Sequence, residues 1–183
     1  MPDGPARTAV VNQCVRLADL TQDQITQFQC RAIYIDSAFE SGEADEMLVA
    51  LSWCMGVYDK DPETFDSAFQ VPNLIIDLMS RALGYITDFP SISRKKVEAM
   101  LDDFERRHQE SGLGLRTVYL ERTRNRFWMG DLESSKENYE KFMSCSQESG
   151  WGDVSERIFR TDFHVRVRDD VAAVAEALGF VSF

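Results

Sequence analysis

The sequence predicts an all-α protein built as an array of antiparallel helical hairpins, in a single domain of about four hairpins over residues 1–183. Three observations carry this. Apolar residues recur at intervals of three and four through most of the chain, the spacing that lines one face of a helix. Glycine, proline and Ser/Asp clusters separate those stretches. A six-residue phrase occurs twice, as QESGLG at 109–114 and QESGWG at 147–152, an offset of 38 residues, each time where a helix is due to end.

The elements follow in order. Ile25, Phe28, Ala32, Ile35 and Phe39 line one face of a helix that Ser41-Gly42 ends. Residues 44–58 form a second helix, apolar around its middle in MLVALSWCMGVY and therefore buried on more than one side. DKDPE breaks it, because Pro62 has no N–H to donate and disfavours helix at Asp61. A third helix starts near Pro72 and runs through NLIIDLMSRALGYI, where Gly84 weakens it by about 1 kcal/mol relative to alanine. Ser93 is the N-cap of a fourth helix carrying Val97, Met100, Leu101 and Phe104. That helix closes at the first QESG, with Gly112 as its left-handed terminal residue. A fifth helix from about Leu115 turns at Gly130-Asp131 into a sixth, with Leu132, Tyr139 and Phe142, which closes at the second QESG with Gly150.

The 38-residue offset places Leu101 on Tyr139 and Phe104 on Phe142, so core positions repeat along with the cap. Repeats of 20 to 50 residues characterise solenoids, where each unit buries its apolar face only against its neighbours. An irregular helical bundle is the alternative architecture.

Composition narrows the function classes. The chain has 183 residues, 44% of them hydrophobic, and a formal net charge of −11. Such a field repels phosphate and argues against nucleic acid and anionic membrane as partners. Residues 1–90 carry 14 acidic against 5 basic side chains, and residues 91–183 carry 17 against 15, so the excess is in the N-terminal half. Cys14, Cys30, Cys54 and Cys145 form no CxxC pair and read as buried free thiols. With no basic-then-apolar leader and no apolar run near the roughly 20 residues of a spanning helix, the expectation is a cytoplasmic protein.

The stretch YLERTRNRFWMGDLESSKENYEKF, residues 119–142, resembles a tetratricopeptide repeat. Gly130 and Asp131 match the turn, Leu132 the aliphatic residue after it, Ser135 the small position of the second helix and Tyr139 its aromatic. Tyr119 stands where the family places Trp. Arg122 and Thr123 depart from the Leu-Gly pair, Arg126 from an aromatic, and no proline closes the unit. A second segment, RAIYIDSAFESGEADEMLVALSW, is similar through Tyr34, Ala38, Phe39, Gly42-Glu43 and Leu51. The resemblance implies a right-handed superhelix that binds extended peptides in a groove formed by the first helices of successive units. Carried over residue by residue, the groove positions are Thr117, Leu120, Arg124 and Phe127, and Gln29, Ala32, Asp36 and Phe39.

Signals for catalysis are weak. His108, in the last turn of a helix, reads as a surface or capping residue favoured by exposed carbonyls. His164 lies near Asp162, and neither histidine has metal-ligand spacing. GLG and GWG lack the Gly-Lys-Ser/Thr of a phosphate loop. No catalytic, cofactor or metal residue is assigned. The arginines are more informative: Arg122 and Arg126 share a face and call for carboxylates on a neighbouring helix, whereas Arg124 falls on the groove side.

The tail is ambiguous at Phe163, Val165 and Val167, which alternate with polar residues as in a strand, and helical again in DVAAVAEALGFVSF. Its apolar end at Phe180, Val181 and Phe183 suits folding back, a homo-oligomer contact, or continuation into a longer protein. The reading is therefore a protein-interaction module that binds a protein or peptide, with an acidic segment as the matching partner. The alternatives are a helical ligand-sensing domain of a signalling or transcription system, and a helical hydrolase or transferase with dispersed carboxylates.

Overall fold

Helix signals of this strength leave little room for anything else, and the computed structural model contains no strand among the residues it describes, 5–41, 44–88, 91–145 and 153–166. The helices are Pro5–Asp19 (α1), Gln24–Ser41 (α2), Ala44–Tyr58 (α3), Pro62–Phe69 (α4), Leu74–Tyr85 (α5), Arg94–Glu110 (α6), Arg116–Trp128 (α7), Leu132–Ser144 (α8) and Asp153–Arg166 (α9). A 3₁₀ turn, Ile86–Asp88, extends α5. None is long and apolar enough to cross a membrane among the described residues.

Two helices go beyond the sequence expectation. α1 buries only Thr8, Val11 and Ala18 against α2, too sparse a stripe to stand out from sequence. α4 begins at Pro62, the very proline that sequence reads only as a break after α3. Proline has no N–H to lose in a first turn, and Asp61 caps that turn by accepting from Thr64 N at 3.3 Å. Asp66 of α4 then gathers three donors, Tyr58 Oη at 2.8 Å, Asn73 N at 2.8 Å and Leu74 N at 3.1 Å. One carboxylate thus joins the end of α3 to the start of α5, and burial together with that bond raises the Tyr58 hydroxyl pKa.

The chain divides into two units, residues 1–144 and 145–183. In the first, α1 packs on α2 and α2 on α3. α5 then contacts α2, α3, α4, α6 and α7, α6 packs on α7, and α7 packs on α8. The apolar composition of α5 follows from this central position: Leu74, Ile75, Ile76, Leu78, Met79, Ala82 and Leu83 are all buried, and only Asp77 and Arg81 are exposed. α3 is more open than its composition suggests. Met47, Leu51 and Cys54 face the core, but Val49 is 71% exposed.

Both glycine caps that fall within the described residues use the same bonds. Gly112 has φ +67 with Leu113 N donating to His108 O at 2.9 Å; Gly130 has φ +78 with Asp131 N donating to Arg126 O at 2.9 Å. Leu101, Phe104, Tyr139 and Phe142, the positions related by 38 residues, are all buried. The second QESG, Gly150 and residues 167–183 lie outside the described residues. In the second unit, α9 continues to Arg166 where sequence alternation suggested a strand. The Asp162–Arg166 pair at 2.6 Å and the Phe159–Phe163 rings, each four residues apart, give a helical period over the same letters.

Candidate functional site

Three helical stripes meet on one side of the first unit. On α5, Asp77, Arg81 and Gly84 lie at i, i+4 and i+7. Arg81 reaches α2 through Asp36 at 3.2 Å while holding Asp77 at 2.6 Å. From α7, Arg124 reaches the Gly84 carbonyl at 3.2 Å. A Cβ at position 84 would stand 3.4 Å from the Arg124 guanidinium, so the glycine leaves the helix surface bare where that side chain lies across it. Arg81 and Arg124 thereby join the stripes of α2, α5 and α7.

The predicted groove residues are placed as follows. Gln29 is exposed, Asp36 and Thr117 are partly exposed, and the Arg124 side chain is 34% exposed. Leu120 departs from the expectation: it is buried, because α7 turns this position into the packed interior instead of toward solvent. Phe127 is half-buried with its ring edge-on to Trp128 at 5.8 Å, and Trp128 is the exposed member of the pair, at 54%. On α2, Ala32 is half-buried and Ile33 is exposed. The Phe39 side chain lies outside the described residues. The exposed and partly exposed stripes are therefore Gln29, Ile33 and Asp36 on α2 and Thr117, Arg124 and Trp128 on α7, one residue out of step at two positions, Ile33 for Ala32 and Trp128 for Phe127. A 3.6-residue helix fixes the spacing of a face, but its rotation depends on which neighbours pack against it.

Beneath Arg124 lies a residue that sequence did not single out. Glu121, one turn earlier, is only 1% exposed. Its Oε1 stands 3.5 Å from Arg124 Nη1, the Ser80 hydroxyl of α5 lies near enough to favour the charged carboxylate, and Oε2 has no hydrogen-bond partner among the described residues. Burial drives its pKa up to about 7, against the opposing pull of Arg124 and Ser80. Asn125, also buried, donates to Leu83 O at 3.2 Å and Glu121 O at 2.8 Å, and its own Oδ1 has no donor among the described residues. A glutamate within an arginine-rich helix gives no sign in sequence that it will face inward.

The other side of α7 is a brace. Arg122 holds Asp102 at 2.8 Å and Glu105 at 2.7 Å, and Arg126 holds Glu98 at 2.7 Å and Asp131 at 3.3 Å. These are the carboxylate partners that the sequence called for, supplied mainly by α6. Arg107 binds Asp59 through both terminal nitrogens at 2.7 and 2.8 Å and Asp103 at 2.9 Å, closing α6 onto the end of α3. A hollow of about 350 Å³ there is lined by Tyr58, Asp59, Arg106, Arg107 and Glu110, but its carboxylates are already paired with its arginines.

His108 corrects a second expectation. It is buried, not on the surface, with Nδ1 2.9 Å from Phe104 O and its ring edge-on to Phe104 at 4.3 Å; burial lowers its pKa. Of the cysteines, Cys54 alone is buried among the described residues, its thiol pushed up to about 12 by desolvation, whereas Cys14 is exposed and Cys30 and Cys145 are intermediate. Among the described residues no group of three His, Cys, Asp or Glu side chains is arranged to hold a metal ion.

Comparison with protein-family models, with curated proteins and with solved structures returns no match. The tetratricopeptide resemblance accordingly rests on the residues quoted above and on an all-helical chain.

Proposed function

We propose that residues 5–144 form an array of antiparallel helical hairpins whose first helices, α2, α5 and α7, present a binding face for a peptide or protein segment. The order of packing supports this reading. Each of α2, α5 and α7 contacts the helix that would complete its hairpin, namely α3, α6 and α8, and α5 also contacts both of the other first helices. Nearest-neighbour contact of this kind is the defining property of a solenoid. In this arrangement α1 covers the leading face of α2, and α4 is an insertion between units.

The observation that carries the functional reading is the pairing of Arg124 and Trp128 on one exposed stripe. Arginine and tryptophan are the side chains most often found as anchors of protein interfaces. Of the three arginines Arg122, Arg124 and Arg126 on α7, Arg122 and Arg126 each hold two carboxylates, whereas Arg124 stands near one among the described residues, buried and remote at 3.5 Å. A partner carboxylate above Arg124 and an apolar side chain on Trp128 fit that stripe, which makes an acidic segment the matching ligand.

Affinity capture from native lysate tests the reading, with wild type compared against Arg124→Glu, Trp128→Ala and, as an exposed control on α6, Lys95→Glu. A partner lost from the first two and kept by the control is the expected result. Capture that is indifferent to Arg124 and Trp128 would remove this face from consideration.

A further inference from the structure

We propose that Arg124 and Glu121 form a proton-linked anion site, in which Arg124 takes a carboxylate of the bound segment and Glu121 takes up one proton as it does so. The proposal rests on the binding face described above and adds what that face recognises and what the recognition is coupled to.

The geometry of the pair is unlike that of the braced ion pairs on the other side of α7. Charge-assisted bonds from arginine to carboxylate close to about 2.7–2.9 Å when both charges are satisfied. The Arg122 and Arg126 pairs to α6 reach 2.7 Å, but Arg124 stays at 3.5 Å from Glu121. The two ends of the pair also stand in different media, with the arginine side chain 34% exposed and the glutamate 1%. An external anion can reach the first without touching the second.

Glu121 is built to accept the proton. As a carboxylate, it buries Oε2 with no donor among the described residues, a loss of solvation that nothing returns. As an acid, it turns Oε2 into a donor in a region that already holds a second acceptor in the same condition, Asn125 Oδ1, one turn along α7. The surrounding charges do not offset this. On α5, Arg81 is engaged by Asp77 and by Asp36 of α2, and Ser80 contributes a neutral hydroxyl. On the α6 side, Glu98, Asp102 and Glu105 are held by Arg122 and Arg126. The charged residues of α8, Glu133, Lys136, Glu137, Glu140 and Lys141, are exposed. Arg124 is the cation that acts on Glu121.

The exchange follows from electrostatics alone. When a carboxylate docks on Arg124, the guanidinium's attraction for Glu121 is shared and a second negative charge arrives nearby. Both effects favour protonation of Glu121, with the proton drawn from solvent. By the same linkage, protonation of Glu121 releases Arg124 and strengthens anion binding.

The test uses the full chain and a tetraglutamate peptide capped at both ends, titrated calorimetrically at about pH 6, 7 and 8.5 in buffers of different ionisation enthalpy. Affinity is expected to fall roughly tenfold from the lowest pH to the highest, within the ordinary range of linked sites, with proton uptake near neutral pH. Glu121→Gln should bind as tightly at the highest pH as wild type does at the lowest and take up no proton. Flat affinity without proton uptake in wild type overturns the coupling and leaves the binding face standing, provided capture still depends on Arg124. Absence of peptide binding by both proteins at every pH overturns the anion site itself. Carbon-13 NMR titration of Glu121 in wild type covers the case in which the variant does not fold: a midpoint at the ordinary 4.5 would also sink the proposal.

Discussion

Glu121 shows how one residue's environment sets a property of the whole chain. Its folded pKa is raised from 4.5 to about 7, so the folded protein holds this proton more tightly than the unfolded one. The associated stability is fully present below pH 4.5 and is lost as pH rises through about 7. At about 1.36 kcal/mol per unit, the loss amounts to roughly 3 kcal/mol by about pH 8. Glu121→Gln removes the titration, so urea melts should show the variant more stable than wild type at about pH 8, with the advantage shrinking toward about pH 5. An advantage that does not vary with pH would show that Glu121 is ionised throughout. Gly112 is a second position where a single residue decides a local conformation. At φ +67, with nothing within 4 Å of where a Cβ would stand, the obstacle to Gly112→Val is backbone strain and not crowding. The expected cost is about 1 kcal/mol or more in urea melts, and a neutral result would mean that the cap relaxes without penalty.

At the scale of the element, α7 carries two different sides under one arginine pattern. Arg122 and Arg126 bind α6, while Arg124 lies across Gly84 of α5. Substitution should separate them. Arg122→Ala or Arg126→Ala leaves partly buried carboxylates of α6 without a cation and is expected to lower stability by about 1–2 kcal/mol. Arg124→Ala at about pH 6, where Glu121 keeps its proton, should stay within about 0.5 kcal/mol of wild type, as surface changes do. Equal losses from all three in denaturant melts would make Arg124 a third strut. The spacing of these arginines is legible in the sequence, and so is their need for carboxylates. Arg124 is the most exposed of the three, at 34% against 13% for Arg122 and 26% for Arg126, but the same reading places Leu120 and Phe127 beside it. A helix presents successive residues about 100° apart, so one letter of error moves a side chain from solvent to core.

For the molecule as a whole, α5 is the element on which the first unit depends. It touches α2, α3, α4, α6 and α7, and Met79 and Leu83 at its centre are fully buried. Met79→Ala should cost about 2–5 kcal/mol through lost contacts and a residual cavity, shifting a single cooperative urea transition of far-ultraviolet circular dichroism. Two separated transitions for residues within 5–144 would show instead that the helices on either side of α5 fold independently.

Much of this is written in local sequence. The boundaries of α2, α3, α6, α7 and α8, the Ser93 cap, and the glycines at 112 and 130 follow from apolar period, capping chemistry and the exclusion of Cβ from left-handed backbone, none of which needs a distant partner. Pro62 shows the limit of such signals, because a residue that ends one helix is equally suited to begin the next and only the fold decides. Tertiary structure alone determined that α5 would be enclosed, that His108 and Glu121 would face inward, and that Ile33 and Trp128 would stand outside in place of Ala32 and Phe127. Those outcomes depend on how each helix is rotated against its neighbours. That rotation is set by the sum of many packing contacts across the chain, and no short stretch of sequence contains it.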